Sequence, residues 1–143
     1  MNDEDIKEIL EIILESLSGK DVHWRLEGSA NLRVQGVEVS VRDLDIVTND
    51  DGIKVFRKAL KQFIVKDFFS QKVNGPSLVL DINNFEVEIN SYGDTELRML
   101  DKIEVILWNG LQIPVLPLDC AKRFYELIER SEKIDVICKH LSA

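Results

Sequence analysis

Two aspartates one residue apart in an apolar run, thirteen residues after a Gly-Ser pair, constrain this chain more than any other feature. The run is Val41-Arg42-Asp43-Leu44-Asp45-Ile46-Val47, and the pair is Gly28-Ser29. If the run is a strand, residues i and i+2 share a face. Asp43 and Asp45 then project side by side, while Leu44 and Ile46 turn into a core. Adjacent like charges in an apolar strand are costly unless something pairs with them. A divalent cation held by oxygen ligands is the simplest partner. A Gly-Ser turn that opens a helix offers backbone N–H groups to a phosphate. Metal and phosphate together point to nucleotide chemistry.

Composition narrows the class. At 143 residues and 45% apolar, the chain reads as one domain with a sizeable core. A net charge of −8 argues against broad nonspecific DNA or RNA binding, which needs a basic surface. No apolar run is long enough to span a membrane. The acidic Met1–Asp5 start has no signal-peptide pattern, so a cytoplasmic location is the expectation. Cys120 and Cys138, eighteen apart, match no zinc spacing. They read as reduced, buried thiols, with a disulfide between two C-terminal helices as the alternative.

Along the chain, Asp3–Leu17 carries Ile6, Ile9, Leu10, Ile13, Leu14 and Leu17 at helical spacing. Val22–Leu26 alternates as a half-buried strand, with His23 and Arg25 on its polar face. His23 is read as solvated rather than as a ligand. Ser29–Gln35 is a short helix ended by Gly36. Val37–Val47 is one long strand, or two joined by a bend at Arg42. Ile53–Phe63 is a helix with a basic outer side at Lys54, Arg57, Lys58 and Lys61, read as solvated. Val65–Phe69 is a short edge strand, 72–76 a loop, and 91–94 a turn. Thr95–Leu100 is a short helical turn. Leu78–Ile82 and Phe85–Ile89 form a hairpin about Asn83-Asn84. Ile103–Trp108 and Leu111–Val115 form another about Asn109-Gly110. Helices follow from Pro117 to about Arg130 and from Ser131 onward.

A nucleotide site of this kind needs a third acid from a neighbouring strand. Glu86 and Glu88, each flanked by apolar residues, are the candidates. Three carboxylates can hold two Mg2+ ions roughly 3.5–4 Å apart. Gly28 and Ser29 would hold a phosphate in line for attack.

Gly28-Ser29, thirteen residues, then Asp43-Leu44-Asp45-Ile46 resembles the signature of the DNA polymerase beta-like nucleotidyltransferase superfamily. Val87-Glu88-Ile89 resembles its third acidic position. Length and element order are similar to the small, minimal nucleotidyltransferases of prokaryotes. Glu129-Arg130-Ser131-Glu132-Lys133-Ile134 is similar to a basic segment that follows the core in some of them. Glu27 departs from the pattern, standing where the family usually has an apolar residue. The resemblance implies an α/β (α+β) domain over residues 1–143, with a mixed, mainly antiparallel sheet flanked by helices. Its core would span 20–116 and its C-terminal helices 117–141. It implies transfer of a nucleoside monophosphate from an NTP to an acceptor hydroxyl. Asp43, Asp45 and Glu88 would be catalytic and bind two Mg2+ ions, while Gly28 and Ser29 would bind the NTP phosphates. The acceptor would be a protein, an RNA end or a small molecule. A helical protein partner, as in toxin–antitoxin pairs, is among the implied partners. The alternatives are a catalytically inactive nucleotide- or metal-binding module and a plain partner-binding protein.

Overall fold

The computed structural model describes residues 1–93 and 95–142. Helix α1 spans Asp3–Leu17 and begins in a reciprocal cap. Asn2 accepts from the Asp5 amide at 2.8 Å, and the Asp5 carboxylate accepts from the Asn2 amide at 2.9 Å. Strand β1 (Trp24–Glu27) runs directly into α2 (Gly28–Val34), and β2 (Leu44–Thr48) into α3 (Asp50–Ala59). Strands β3 (Ile64–Ser70), β4 (Gly75–Ile82) and β5 (Phe85–Ser91) follow. The hairpin β6 (Glu104–Trp108) and β7 (Leu111–Val115) then leads into α4 (Leu118–Leu127) and α5 (Ser131–Leu141).

Five strands form a sheet in the order β1-β2-β5-β4-β3, and β6 and β7 form a separate two-stranded sheet. β2 and β5 are parallel; the other neighbours are antiparallel. The sheet is therefore mixed and mainly antiparallel, as expected. Both hairpins turn on two residues of positive φ: Asn83 (55°) and Asn84 (68°), then Asn109 (47°) and Gly110 (82°). Asparagine and glycine tolerate that region, which is why these pairs mark the turns.

One face of the sheet is dry. Leu26, Leu44, Ile46, Leu78, Leu80, Val87 and Ile89 pack there against Ile6, Ile9, Leu10 and Ile13 of α1 and Ile53 and Phe56 of α3. A second cluster joins Leu32 of α2 with Phe124 of α4 and Ile137 of α5. It closes the other side of the molecule around the candidate site. Asn31 anchors α2 there, donating to the Leu116 carbonyl at 3.0 Å and accepting from its amide at 2.8 Å.

Several local expectations change. The extended run begins only at Leu44, so Asp43 lies in a bend outside the strand. β1 has already turned into α2 at Gly28, which leaves residues 37–43 no strand to pair with. Their carbonyls go elsewhere: Val39 accepts from Arg33 and Val41 from the N-terminal amine. β1 is buried throughout rather than half-buried, because segment 95–98 and Phe124 cover its polar face. α3 ends at Ala59, and a separate tight turn carries Lys61–Phe63. Gly75 and Pro76 belong to edge-paired β4, not to a loop. The expected helical turn at 95–100 falls at Leu100–Lys102 instead. Ser91 closes β5, and Asp94, the end of the expected turn, lies outside the described residues. Both cysteines are free thiols, but Cys138 is exposed rather than buried. His23 is exposed, as read.

Candidate active site

The polar face of β1, β2 and β5, open to the groove at β2 and β5 and covered at β1, carries a row of acids. Glu27 of β1 is in register with Asp45 of β2, and Asp45 with Glu88 of β5. Directly opposed residues share a face and lie about 5 Å apart. Leu44 and Ile46, on the reverse face, fix this orientation by complete burial. Asp45, Glu88 and Asp43 line one groove of about 800 Å³ together with Gly28 and Ser29. Glu86 is exposed and is absent from the groove's lining.

The Gly-Ser turn sits tightly against the acids. Gly28 has φ +66°, and a Cβ there would lie 2.7 Å from Asp45 Oδ2. Glycine is required by backbone conformation and by this close approach. Glu27 occupies the cap position of α2 but makes no side-chain cap bond. The first N–H groups of the helix are thus left without that partner.

Residues beyond the signature complete the groove. Asn90 donates to Glu88 Oε1 at 3.0 Å, and its own Oδ1 accepts from buried Ser77 at 2.7 Å. This chain orients Glu88. Lys133 of α5 donates to Ser29 Oγ at 2.5 Å, bridging 104 positions. Burial, then the neighbouring Arg130, lowers the Lys133 pKa. Arg130 also lines the groove and pairs with Glu132. Leu97, Tyr92, Phe124, Tyr125 and Ile128 form an apolar wall. Lys133 falls in the segment 129–134 noted for its resemblance, with no role assigned to it there; no sequence signal marked Asn90, Ser77 or the wall.

The charges strain one another. Burial, then Glu27, Glu88 and Asp43, pushes the Asp45 carboxyl up to about 7. Burial raises Glu27, opposed by Arg25 and by the Tyr92 hydroxyl, which donates to Glu27 Oε2 at 2.9 Å. Burial and Glu27 in turn raise Tyr92. Among the described residues, no three His, Cys, Asp or Glu side chains are drawn together closely enough to grip one cation. Asp43, Asp45 and Glu88 are hard oxygen donors of the type Mg2+ takes, and they line one groove.

A second cavity, of about 740 Å³, opens beside His23, Arg98 and Cys120 and contains none of these acids. Among the described residues no helix is long and apolar enough to cross a membrane.

No family model matches the sequence, and no curated protein does. Solved structures do. A candidate nucleotidyltransferase of Thermotoga maritima superposes with a TM-score of 0.79 at 26% identity, over 99% of this chain and 96% of that one. The lincosamide antibiotic adenylyltransferase LnuA, in its lincomycin-bound form, gives 0.63 at 14% identity, over 96% of each chain. The antibiotic-resistance factor ANT(2'')-Ia gives 0.67 at 8% identity, over 98% of this chain and 86% of that one. With its sheet order and acid-lined groove, this chain is a small protein of the nucleotidyltransferase fold.

Proposed function

We propose that the protein transfers a nucleoside monophosphate from an Mg–NTP to an acceptor hydroxyl. The observation that carries this reading is the register Asp45–Glu88 on parallel strands, with the Gly28-Ser29 turn against Asp45. Asp43, Asp45 and Glu88 would hold two Mg2+ ions. Those ions supply Lewis acidity toward the acceptor hydroxyl and offset charge on the leaving pyrophosphate.

The chain's own residues bind and orient. Ser29 and the α2 amides donate to the phosphates, and Lys133 turns from Ser29 to the same anion. Asn90 keeps Glu88 aimed into the groove. The wall from Tyr92 to Ile128 sheds water from the bound nucleotide. The acceptor oxygen bonds to the α-phosphorus as the bond to the bridging oxygen breaks. Pyrophosphate leaves with that electron pair, and the hydroxyl proton is lost to solvent.

A non-transferring nucleotide-binding module is the second reading, favoured by the absence of a ready three-carboxylate grip among the described residues. Incubation with labelled ATP, CTP, GTP or UTP and Mg2+, with and without lysate, separates the two. We expect label to move to an acceptor with wild type and not with Asp43→Ala/Asp45→Ala. Tight Mg–NTP binding without transfer would establish the module instead. Failure to bind any NTP would exclude both.

A further inference from the structure

Arg25 is the largest fully buried side chain of the molecule, and the signature does not use it. It lies on β1, three residues before Gly28 of the Gly-Ser turn. Its Nε donates to the Arg98 carbonyl at 3.1 Å, and its Nη2 to the Leu97 carbonyl at 3.1 Å. Nη1 donates to the Leu26 carbonyl at 3.1 Å, and Nη2 also meets Glu27 Oε1 at 3.3 Å. The guanidinium carbon stands 5.7 Å from the centre of the Phe124 ring. Glu27 accepts in turn from Tyr92.

A buried ion pair is a poor way to fill a core, since apolar side chains of similar volume do so at equal or lower cost. What this one does is geometric. Leu97, Tyr92 and Phe124 belong to the apolar wall of the groove, and they come from a loop and a helix remote from β1 in sequence. Arg25 and Glu27 are the contacts that tie all three to the strand carrying Gly28-Ser29. Five donors in a rigid planar fork hold three carbonyls and a carboxylate at once, more acceptors than the three donors of a lysine could serve.

We propose that Arg25, braced by Glu27 and Tyr92, is a positioning residue that sets the apolar wall of the groove at its working distance from the Gly28-Ser29 turn. The proposal rests on the transferase reading for its kinetic consequence, but not for its structural one. It predicts that Arg25 serves nucleotide binding more than the chemical step, because it contacts none of Asp43, Asp45 and Glu88.

The test is the paired apolar variant Arg25→Met/Glu27→Leu, which removes both charges and leaves neither stranded. We expect its melting temperature to match or exceed wild type. Amide exchange at residues 95–98 should quicken about tenfold, while exchange in β2 and β5 stays unchanged. KM for Mg–ATP should rise about tenfold, a larger change than the fall in kcat. Tyr92→Phe, which deletes only one hydroxyl, should move KM the same way by a smaller factor. It serves as the test if the double variant does not fold. A folded variant with unchanged exchange at 95–98 overturns the proposal, as does an unchanged KM in an active enzyme. If the wild type neither binds Mg–ATP nor transfers label, the transferase reading fails. Quickened exchange at 95–98 would then still uphold the hold of Arg25 on the wall.

Discussion

The two faces of β2 and β5 alternate along the same twelve residues and obey different physics. On one face Leu44, Ile46, Val87 and Ile89 are fully buried, and any apolar side chain of the right volume would serve. On the other, Asp45 and Glu88 stand abreast, with Glu27 beside them, in a groove where only particular atoms at particular positions have a use. The dry face stabilises without specifying chemistry. The wet face specifies chemistry and costs stability, since like charges crowd there. Changes on the two faces should therefore separate stability from activity.

The largest effect should come from the wet face. Asp45→Ala should cut nucleotidyl transfer by about 10³-fold or more, measured as label incorporated per unit time. The metal-free protein should melt no lower than wild type. Glu88→Gln should follow the same pattern and Glu86→Gln should not, because Glu86 lies outside the groove. The converse is Ile46→Ala, one residue away. It should cost about 2–5 kcal/mol in denaturant unfolding while the folded fraction keeps its turnover.

Gly28→Ala joins the faces. A Cβ would press on Asp45 Oδ2 in a backbone region that alanine resists, so stability and activity should fall together, by about 1–3 kcal/mol in unfolding. Loss in only one of the two would show that turn and carboxylate are not in contact.

Acid–base titration sharpens the comparison further. Asp45 titrates near 7 when folded, against 3.8 for an ordinary aspartate. Between those values the folded chain keeps a proton that the unfolded chain has shed. Stability of the metal-free protein should therefore fall as pH rises from about 4 through about 7, then level off. Asp45→Asn should flatten that slope, and saturating Mg2+ should raise the melting temperature chiefly above pH 7. The smallest effect is expected at Lys133→Ala, which should raise KM for Mg–NTP by about three- to tenfold with little change in melting temperature.

Much of this was legible before any coordinates. The helical period of α1, the two Asn-turn hairpins and the edge position of β3 follow from local spacing and turn chemistry. So did Gly28, Ser29, Asp43 and Asp45 as one candidate set, because their order is a pattern along the chain, while the third acid stayed open between Glu86 and Glu88. The strand expected over 37–43 failed because a strand needs a neighbour, and the neighbour ends at Glu27. The half-buried reading of β1 failed for a related reason. Alternation shows which residues share a face; whether that face meets water depends on what lies over it.

The sequence by itself determined the dry face, the turns and the Gly28-Ser29 and Asp43-Leu44-Asp45 pattern, since each depends on residues close in the chain or on a repeated period. Only the tertiary structure decided between Glu86 and Glu88 as a lining acid, through β2–β5 register. It also decided that Lys133 meets Ser29 across 104 positions and that Arg25 is a buried tie rather than a solvated charge. The physical reason is common to all three: desolvation and charge pairing act through space, and the packing of distant segments sets those distances.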